Sequence, residues 1–268
     1  HGLTAAERER LAPDLAALSL ETRGLDGGVG KLLERRRSVV AVLGAGRVGA
    51  ATATLLAAAG IGTVAVEDDS PAGHGDVTPA GIAPADVERS RSDGVRRAIR
   101  AIAPSTTVPR ARPGQPRQRP HVAVVAPEEE PDRPLLDKLV RAGIPHLIAR
   151  VVETRAIVGP FVLPGRTSCV RCADLYRAQR DPAWPRVLAG ISSEPASTTA
   201  CDVVTATHAA TVAAAHVLGF VQGQMPRSID ATLELATPLG RWRRRSWSVH
   251  PLCGCRWDHL DGADEQAS

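Results

Sequence analysis

Four of the five cysteines stand in two short pairs that could hold a metal ion. Two residues separate Cys169 from Cys172, and one residue separates Cys253 from Cys255. Two such pairs that meet in space supply four thiolates, the ligand set of a tetrahedral structural zinc site. Zinc would then fasten the end of the chain to its middle, and about 10 kcal/mol of binding free energy would stabilise the fold. Free or redox-active cysteine pairs are the alternative interpretation.

The second candidate site is a glycine-rich turn, which follows the apolar run Val39–Leu43. Its pattern is Gly-x-Gly-x-x-Gly, with glycines at Gly44, Gly46 and Gly49. An Ala/Leu-rich stretch and a second apolar run come next, and Asp68 follows them. The order predicts strand, tight turn, helix, strand and acid.

The turn would let the backbone approach a phosphate at a helix N-terminus, where unpaired N–H groups and the helix dipole favour an anion. Asp68 would accept hydrogen bonds from a ribose hydroxyl. A βα turn without any ligand is the alternative. We expect the fifth cysteine, Cys201, to be a small buried residue at the start of a helix rather than a nucleophile.

Composition limits the classes of protein that fit. The chain has 268 residues, a formal net charge of +4 and 3% aromatic residues, so aliphatic side chains and alanine must build the core. This mild positive charge does not by itself indicate nucleic acid, and no uninterrupted apolar run reaches the length of a membrane span. The cysteine pattern favours a metal site in a reducing cytoplasm over a disulfide framework. The chain begins at His1, so the sequence leaves open whether a further module precedes it.

The elements needed to position these residues can be predicted along the chain. Thr4 and Glu7 form a potential capping box for amphipathic helices over residues 3–21. Residues 84–103 predict one amphipathic helix, and residues 202–221 an alanine-rich one. Further strands are expected at residues 122–126, 144–149 and 156–163, and residues 228–250 alternate enough for one or two more.

These elements predict an α/β protein with a Rossmann-like, doubly wound and mostly parallel sheet, a C-terminal antiparallel extension and a zinc-clipped tail. We expect residues 1–30 to form a helical segment and residues 31–268 the nucleotide-binding domain. The segment from Trp242 to Trp247 mixes cations with aromatics. We interpret this segment as a strand with a solvent-exposed face rather than as a patch that binds nucleic acid.

A nucleotide turn followed by two cysteine pairs resembles the ThiF/MoeB/HesA family, the bacterial relatives of ubiquitin-activating enzymes, over about residues 31 to 257. Ala59-Gly60-Ile61-Gly62 and Asp68 fall in register with the family pattern, as does Cys169-Val170-Arg171-Cys172. The resemblance implies binding of ATP and Mg²⁺ and adenylation of the C-terminal carboxylate of a ubiquitin-like sulfur carrier or peptide. It also implies a homodimer.

The sequence departs from the family where charge is needed during adenylation. Asp76 occupies the position at which the family pattern has an asparagine, and Arg91 lies near the position at which it has a lysine. Pro127 stands at the slot of the Mg²⁺-binding aspartate, so the adjacent Glu128 becomes the candidate ligand. Together with Arg47 in the glycine turn, Arg91 and Glu128 are the candidate catalytic residues.

Two main hypotheses follow. The first is an active adenylyltransferase. The second is a catalytically degenerate relative that binds a leader peptide or partner protein, similar to the ThiF-like partners in ribosomal-peptide azoline biosynthesis. A nicotinamide-dependent oxidoreductase would fit the glycine turn, but it does not explain the cysteine pairs.

Overall fold

The structure is a computed structural model that describes residues 3–22, 26–110, 118–193, 200–236, 240 and 242–256. Seven strands in these residues form one sheet with the order β2-β1-β3-β4-β5-β6-β7. The strands are β1 (Val39–Leu43), β2 (Thr63–Glu67), β3 (Val122–Val125), β4 (His146–Val152), β5 (Arg155–Val162), β6 (Ala231–Ala236) and β7 (Arg243–Ser246). The pairs among β2, β1, β3 and β4 are parallel, and those from β4 to β7 are antiparallel. This confirms the predicted Rossmann-like class with its antiparallel extension.

Helices cover both faces of the sheet. They are α1 (Ala5–Arg10), α2 (Ala12–Thr22), α3 (Val29–Arg37), α4 (Arg47–Ala58), α5 (Arg91–Ile102), α6 (Arg133–Arg141), α7 (Val170–Arg180), α8 (Trp184–Ser193) and α9 (Val203–Val221). Successive side chains of a strand point to opposite faces. Val40 therefore joins the core beneath α4, α5 and α9, whereas Ala41 joins the smaller core beneath α6.

Helix α9 is long and apolar enough by composition to cross a membrane, and 39% of its apolar stretch is buried inside the protein. It packs against α4, β4 and β5. Its fully buried positions are mostly small: Thr205, Ala206, Ala209, Ala210, Ala213, Ala214 and Val217. These small residues serve packing within the chain. The homodimer stays a prediction that rests on the family resemblance.

The N-terminal helices are attached to the sheet by apolar and ionic contacts. Thr4 and Glu7 form the predicted capping box. The buried Glu7 also pairs with Arg36 of α3 at 3.2 Å. Leu11 and Leu32 pack in a small core of their own. The segment thus contacts the C-terminal end of α4, where Arg10 donates to the Ala58 carbonyl and Arg35 of α3 donates to the Ala59 carbonyl.

The single helix predicted for residues 84–103 is wrong. Pro84–Asp86 form a short 3₁₀ turn, and α5 begins only at Arg91. Glu88 adopts φ 67°, which a continuous α-helix does not allow. Ser90 then caps the new helix by accepting from the Asp93 N–H.

The Trp242–Trp247 segment forms the edge of the sheet. The four residues of β7 are exposed and pair with β6. Trp247 is buried and lies against the guanidinium of Arg177 at 5.0 Å. Charged side chains on an edge strand discourage further strand pairing. The solvated strand face is therefore the better interpretation.

Candidate functional site

The four paired cysteines converge at one end of the sheet. Cys169 and Cys172 lie at the start of α7, and the other pair lies in the turn after β7. All five cysteines are free thiols, and the four ligand atoms lie within 4.8 Å of one another. The Sγ–Sγ distances are 3.8 Å for Cys169–Cys172, 3.5 Å for Cys169–Cys253 and 3.6 Å for Cys172–Cys255.

These distances fit a metal ion. A tetrahedron with metal–sulfur bonds of about 2.3 Å places its sulfurs about 3.8 Å apart. Cys169, Cys172 and Cys253 are buried, so a bound ion would be shielded from exchange with solvent. The four cysteines could therefore hold a metal ion, with no position left for a water ligand.

Asp230 forms hydrogen bonds with both of the segments that carry the cysteine pairs. The Asp230 carboxylate accepts a hydrogen bond from the Ser168 N–H at 2.6 Å, directly before the first cysteine. Its backbone carbonyl accepts from the Trp247 N–H at 2.8 Å, on the segment that leads to the second pair. Asp230 adopts φ 50°, a conformation that aspartate and asparagine tolerate better than most residues. We infer that Asp230 positions the metal ligands.

Replacing Asp230 by glycine should weaken metal binding by about tenfold to a hundredfold, the usual effect of losing an outer-sphere partner. Glycine keeps the positive φ but removes the acceptor of the Ser168 N–H. Release of the bound metal ion to a chromophoric chelator would measure the change. Asp230→Asn is the matched control, since an amide oxygen retains an acceptor, and it should release the metal at nearly the wild-type rate. Equal release from the glycine variant would contradict the positioning role.

The predicted glycine turn is present between β1 and α4. Gly44 has φ 94°, and a side chain there would collide with the Ala126 carbonyl. A side chain at Gly49 would collide with the Gly44 carbonyl. Gly46 is the N-cap of α4 and provides no side-chain hydrogen bond to the first-turn N–H groups. The first-turn N–H groups of α4 therefore have no cap from their own N-cap side chain.

A cleft of about 660 Å³ opens at this turn. That volume is within the usual range for small-molecule sites. Three sequence-predicted residues, Arg47, Arg91 and Glu128, line it together with Gly46. Arg47 crosses to neighbouring loops, donating to the Gly75 carbonyl and, at 2.6 Å, to the Cys201 carbonyl. The structure therefore brings the candidate catalytic residues into one place.

Arg91 is bound to the carboxylates around it. Its Nε lies 2.9 Å from Asp76, and its terminal nitrogens lie 2.9 Å from Glu128 and 3.7 Å from Asp68. Burial alone would lower the pKa of Arg91, but hydrogen bonds and attraction from Asp76 and Glu128 raise it above the usual value. Two of the substitutions that set the sequence apart from the family pattern, Asp76 and Arg91, are thus an ion pair.

Asp68 lies behind this group. Its carboxylate accepts from the Ala45 N–H at 2.8 Å and from the Ser70 N–H at 3.0 Å, so it holds the glycine turn in place. It lines a neighbouring cleft of about 500 Å³ with Ser90 and Arg96 rather than the first cleft. Its contact with a ribose remains a prediction.

Cys201 lies at the cleft beside the N-terminus of α9. Burial raises the pKa of its thiol to about 11, although the positive charge of Arg47 opposes this shift. The thiol is therefore protonated near neutral pH, which disfavours a nucleophile. The sequence predicts a small buried residue at a helix start; the structure places Cys201 beside that helix start but only half-buried.

Two residues of the sites had no role in the sequence interpretation. Asp230 is about 60 residues from the first cysteine pair, and no spacing rule connects an aspartate to cysteines that far away. Asp202 lines the cleft and caps α9 by accepting from the Val204 and Thr205 N–H groups. An aspartate before an apolar helical stretch is a recognisable N-cap signal, so its capping role could have been found.

Comparisons with known proteins agree with this architecture. The model of the ThiF family matches residues 22–115. The solved structure of E. coli MccB with MccA-N7isoASN gives a TM-score of 0.75 at 18% identity, covering 93% of this chain and 74% of that one. E. coli MccB with ATP gives 0.72 at 20% identity, over 92% and 74%. PaaA gives 0.71 at 18% identity, over 91% and 84%. No curated protein sequence gives a significant match.

Proposed function

The ThiF-family match and the shared fold support a divergent ThiF/MoeB-family member, and from that premise we propose an ATP-dependent adenylyltransferase. Its substrate would be the C-terminal carboxylate of a peptide or of a small ubiquitin-like carrier protein. E. coli MccB, described as a microcin C7 biosynthetic enzyme, has been crystallised with ATP and with N-formylated MccA. The observation that carries the proposal is the uncapped α4 N-terminus, which opens on a cleft holding Arg47, Arg91 and Glu128.

Each of these groups has a role that its position supports. The first-turn N–H groups of α4 would bind phosphate oxygens. Arg47 would offset negative charge near the α-phosphate, and Asp68 would orient the ribose. Glu128 would hold Mg²⁺, since a carboxylate oxygen is a ligand that Mg²⁺ prefers.

The reaction would be an in-line displacement. A carboxylate oxygen of the peptide attacks the α-phosphorus, the bond to the bridging oxygen breaks, and pyrophosphate leaves. Negative charge grows on the leaving oxygens, so fixed cations around the cleft are what the chain must supply. This step yields an acyl-adenylate whose carboxyl carbon is open to attack by a nucleophile.

We further propose zinc as the metal of the four-cysteine cluster, because four thiolates at tetrahedral spacing are its characteristic structural ligands. A reducing cytoplasm is the proposed compartment, which suits free thiols. The homodimer is proposed from the family alone.

One observation favours the second candidate, a degenerate protein that binds a peptide without turning over ATP. Arg91 is already paired with carboxylates, so it has little attraction left for a phosphate. Each missing charge-assisted contact costs about 1.5–3 kcal/mol, or one to two decades in affinity. Weak nucleotide binding and slow turnover are therefore expected even if the protein is an enzyme.

Calorimetric titration with ATP and Mg²⁺ tests the nucleotide site. We expect a dissociation constant between micromolar and millimolar and at least about tenfold weaker binding by Asp68→Ala, which loses the anchor of the turn and the ribose partner. Asp132→Ala, which removes an exposed carboxylate that lines neither cleft, is the control and should bind like wild type. Thermal unfolding checks that the variants are folded.

Exchange of labelled pyrophosphate into ATP, with peptides of varied C-terminal sequence, tests the reaction itself. Peptide-dependent exchange supports the enzyme. ATP binding without exchange favours the degenerate protein, and no binding at millimolar ATP would overturn the nucleotide site.

A further inference from the structure

A carboxylate of the protein occupies the part of the cleft that a helix N-terminus makes favourable for anions. A side-chain carbon placed on Gly46 would lie only 2.5 Å from Glu128 Oε1, so the carboxylate rests directly against the N-cap of α4. The positive end of the helix dipole lies at this position. Glu128 is therefore an internal anion at the place where a phosphate would bind.

The Glu128 carboxylate also forms an ion pair with the neighbouring guanidinium of Arg91. Glu128 Oε1 lies 2.9 Å from a terminal nitrogen of Arg91, and Asp76 holds the Nε of that guanidinium. Three carboxylates, including that of Asp68, thus surround one positive charge. A polyphosphate entering alone would meet excess negative charge rather than a free arginine.

Glu128 is also the one of these carboxylates that can move. Its side chain is 44% exposed, compared with 7% for Asp76 and 11% for Asp68. Asp76 is further held by the Gly73 N–H at 2.8 Å, and Asp68 by two backbone donors. Glu128 can therefore leave Arg91 without unpacking the core.

We propose that Glu128 excludes metal-free nucleotide from the cleft and that a divalent cation relieves this exclusion. A cation bound to the nucleotide phosphates attracts the Glu128 carboxylate, which then releases both the α4 N-terminus and Arg91. The cleft consequently selects the metal-complexed form of a polyphosphate. This inference rests on the proposed function in taking the ligand to be a nucleotide.

Titration of Glu128→Gln with ATP, once in excess EDTA and once in excess Mg²⁺, tests the proposal. Glutamine keeps the shape of the side chain but removes its negative charge. We expect the variant to bind metal-free ATP about tenfold more tightly than wild type, because one like charge near the phosphates is gone. Mg²⁺ should strengthen ATP binding by wild type much more than by the variant.

Glu129→Gln is the matched control, since it makes the same charge change at the next residue, which does not line the cleft. Its ATP affinity should stay within about twofold of wild type under both conditions. If wild type binds ATP with Mg²⁺ but Glu128→Gln gains nothing in EDTA, the exclusion is wrong and the proposed function stands. If neither wild type nor the variants bind ATP in Mg²⁺ or EDTA, both proposals are overturned.

Discussion

Replacing Cys172 by serine is expected to release the metal and to lower the melting temperature by about 10 °C or more. The cluster joins segments that are 84 residues apart, so it fastens the end of the chain to α7. Structural zinc contributes about 10 kcal/mol or more in small zinc proteins, which is comparable to the whole stability of a typical domain. Losing one of four thiolates removes most of that contribution.

Elemental analysis of protein purified without added metal should find about one zinc per chain in wild type and far less in the variant. Cys201→Ser is the control, because this fifth cysteine lies at the cleft, outside the cluster. It should keep both the zinc and the melting temperature. Full zinc in Cys172→Ser, or disulfides within the pairs of the wild-type protein, would contradict the site.

The second large effect is expected from Arg91→Ala. Removal of this arginine leaves Asp76, Glu128 and Asp68 without the cation that they share. Breaking a buried ion pair on one side costs about 3–5 kcal/mol, and the partial exposure of Glu128 places the expected loss near 3 kcal/mol at neutral pH.

Chemical denaturation of wild type and variant at neutral pH would measure this loss. Arg89→Ala, which removes an exposed arginine two residues earlier, should change stability by less than about 0.5 kcal/mol. Arg91→Lys should give an intermediate loss, because an ammonium keeps the charge but cannot bridge two carboxylates in the same plane. A loss for Arg91→Lys as large as that for Arg91→Ala would show that packing, rather than charge, is the cause.

The sequence predicts well the features that depend on residues close together in the chain. The strand–turn–helix around Gly44 follows from local periodicity and from the conformations that only glycine adopts freely. The two cysteine pairs predict a four-thiolate cluster because short ligand spacing is itself the signal. Even the long helix 84–103 was predicted correctly in its second half, where the apolar spacing is helical. The prediction for its first half is wrong, because the positive φ of Glu88 does not change the spacing of apolar residues from which a helix is predicted.

Tertiary structure decided which distant groups meet. Arg47 donates to the Cys201 carbonyl across 154 residues, and Asp230 accepts from the Ser168 N–H, next to the first cysteine pair, across 62. The ion pair of Asp76 and Arg91 depends on the path of the loop between β2 and α5. Such contacts follow from how helices and strands dock, and side chains far apart in sequence carry no shared periodic signal. The sequence by itself determined the turn and the ligand set of the cluster. The docking of the elements decided that Arg91 is paired with carboxylates and that Glu128 lies against Gly46.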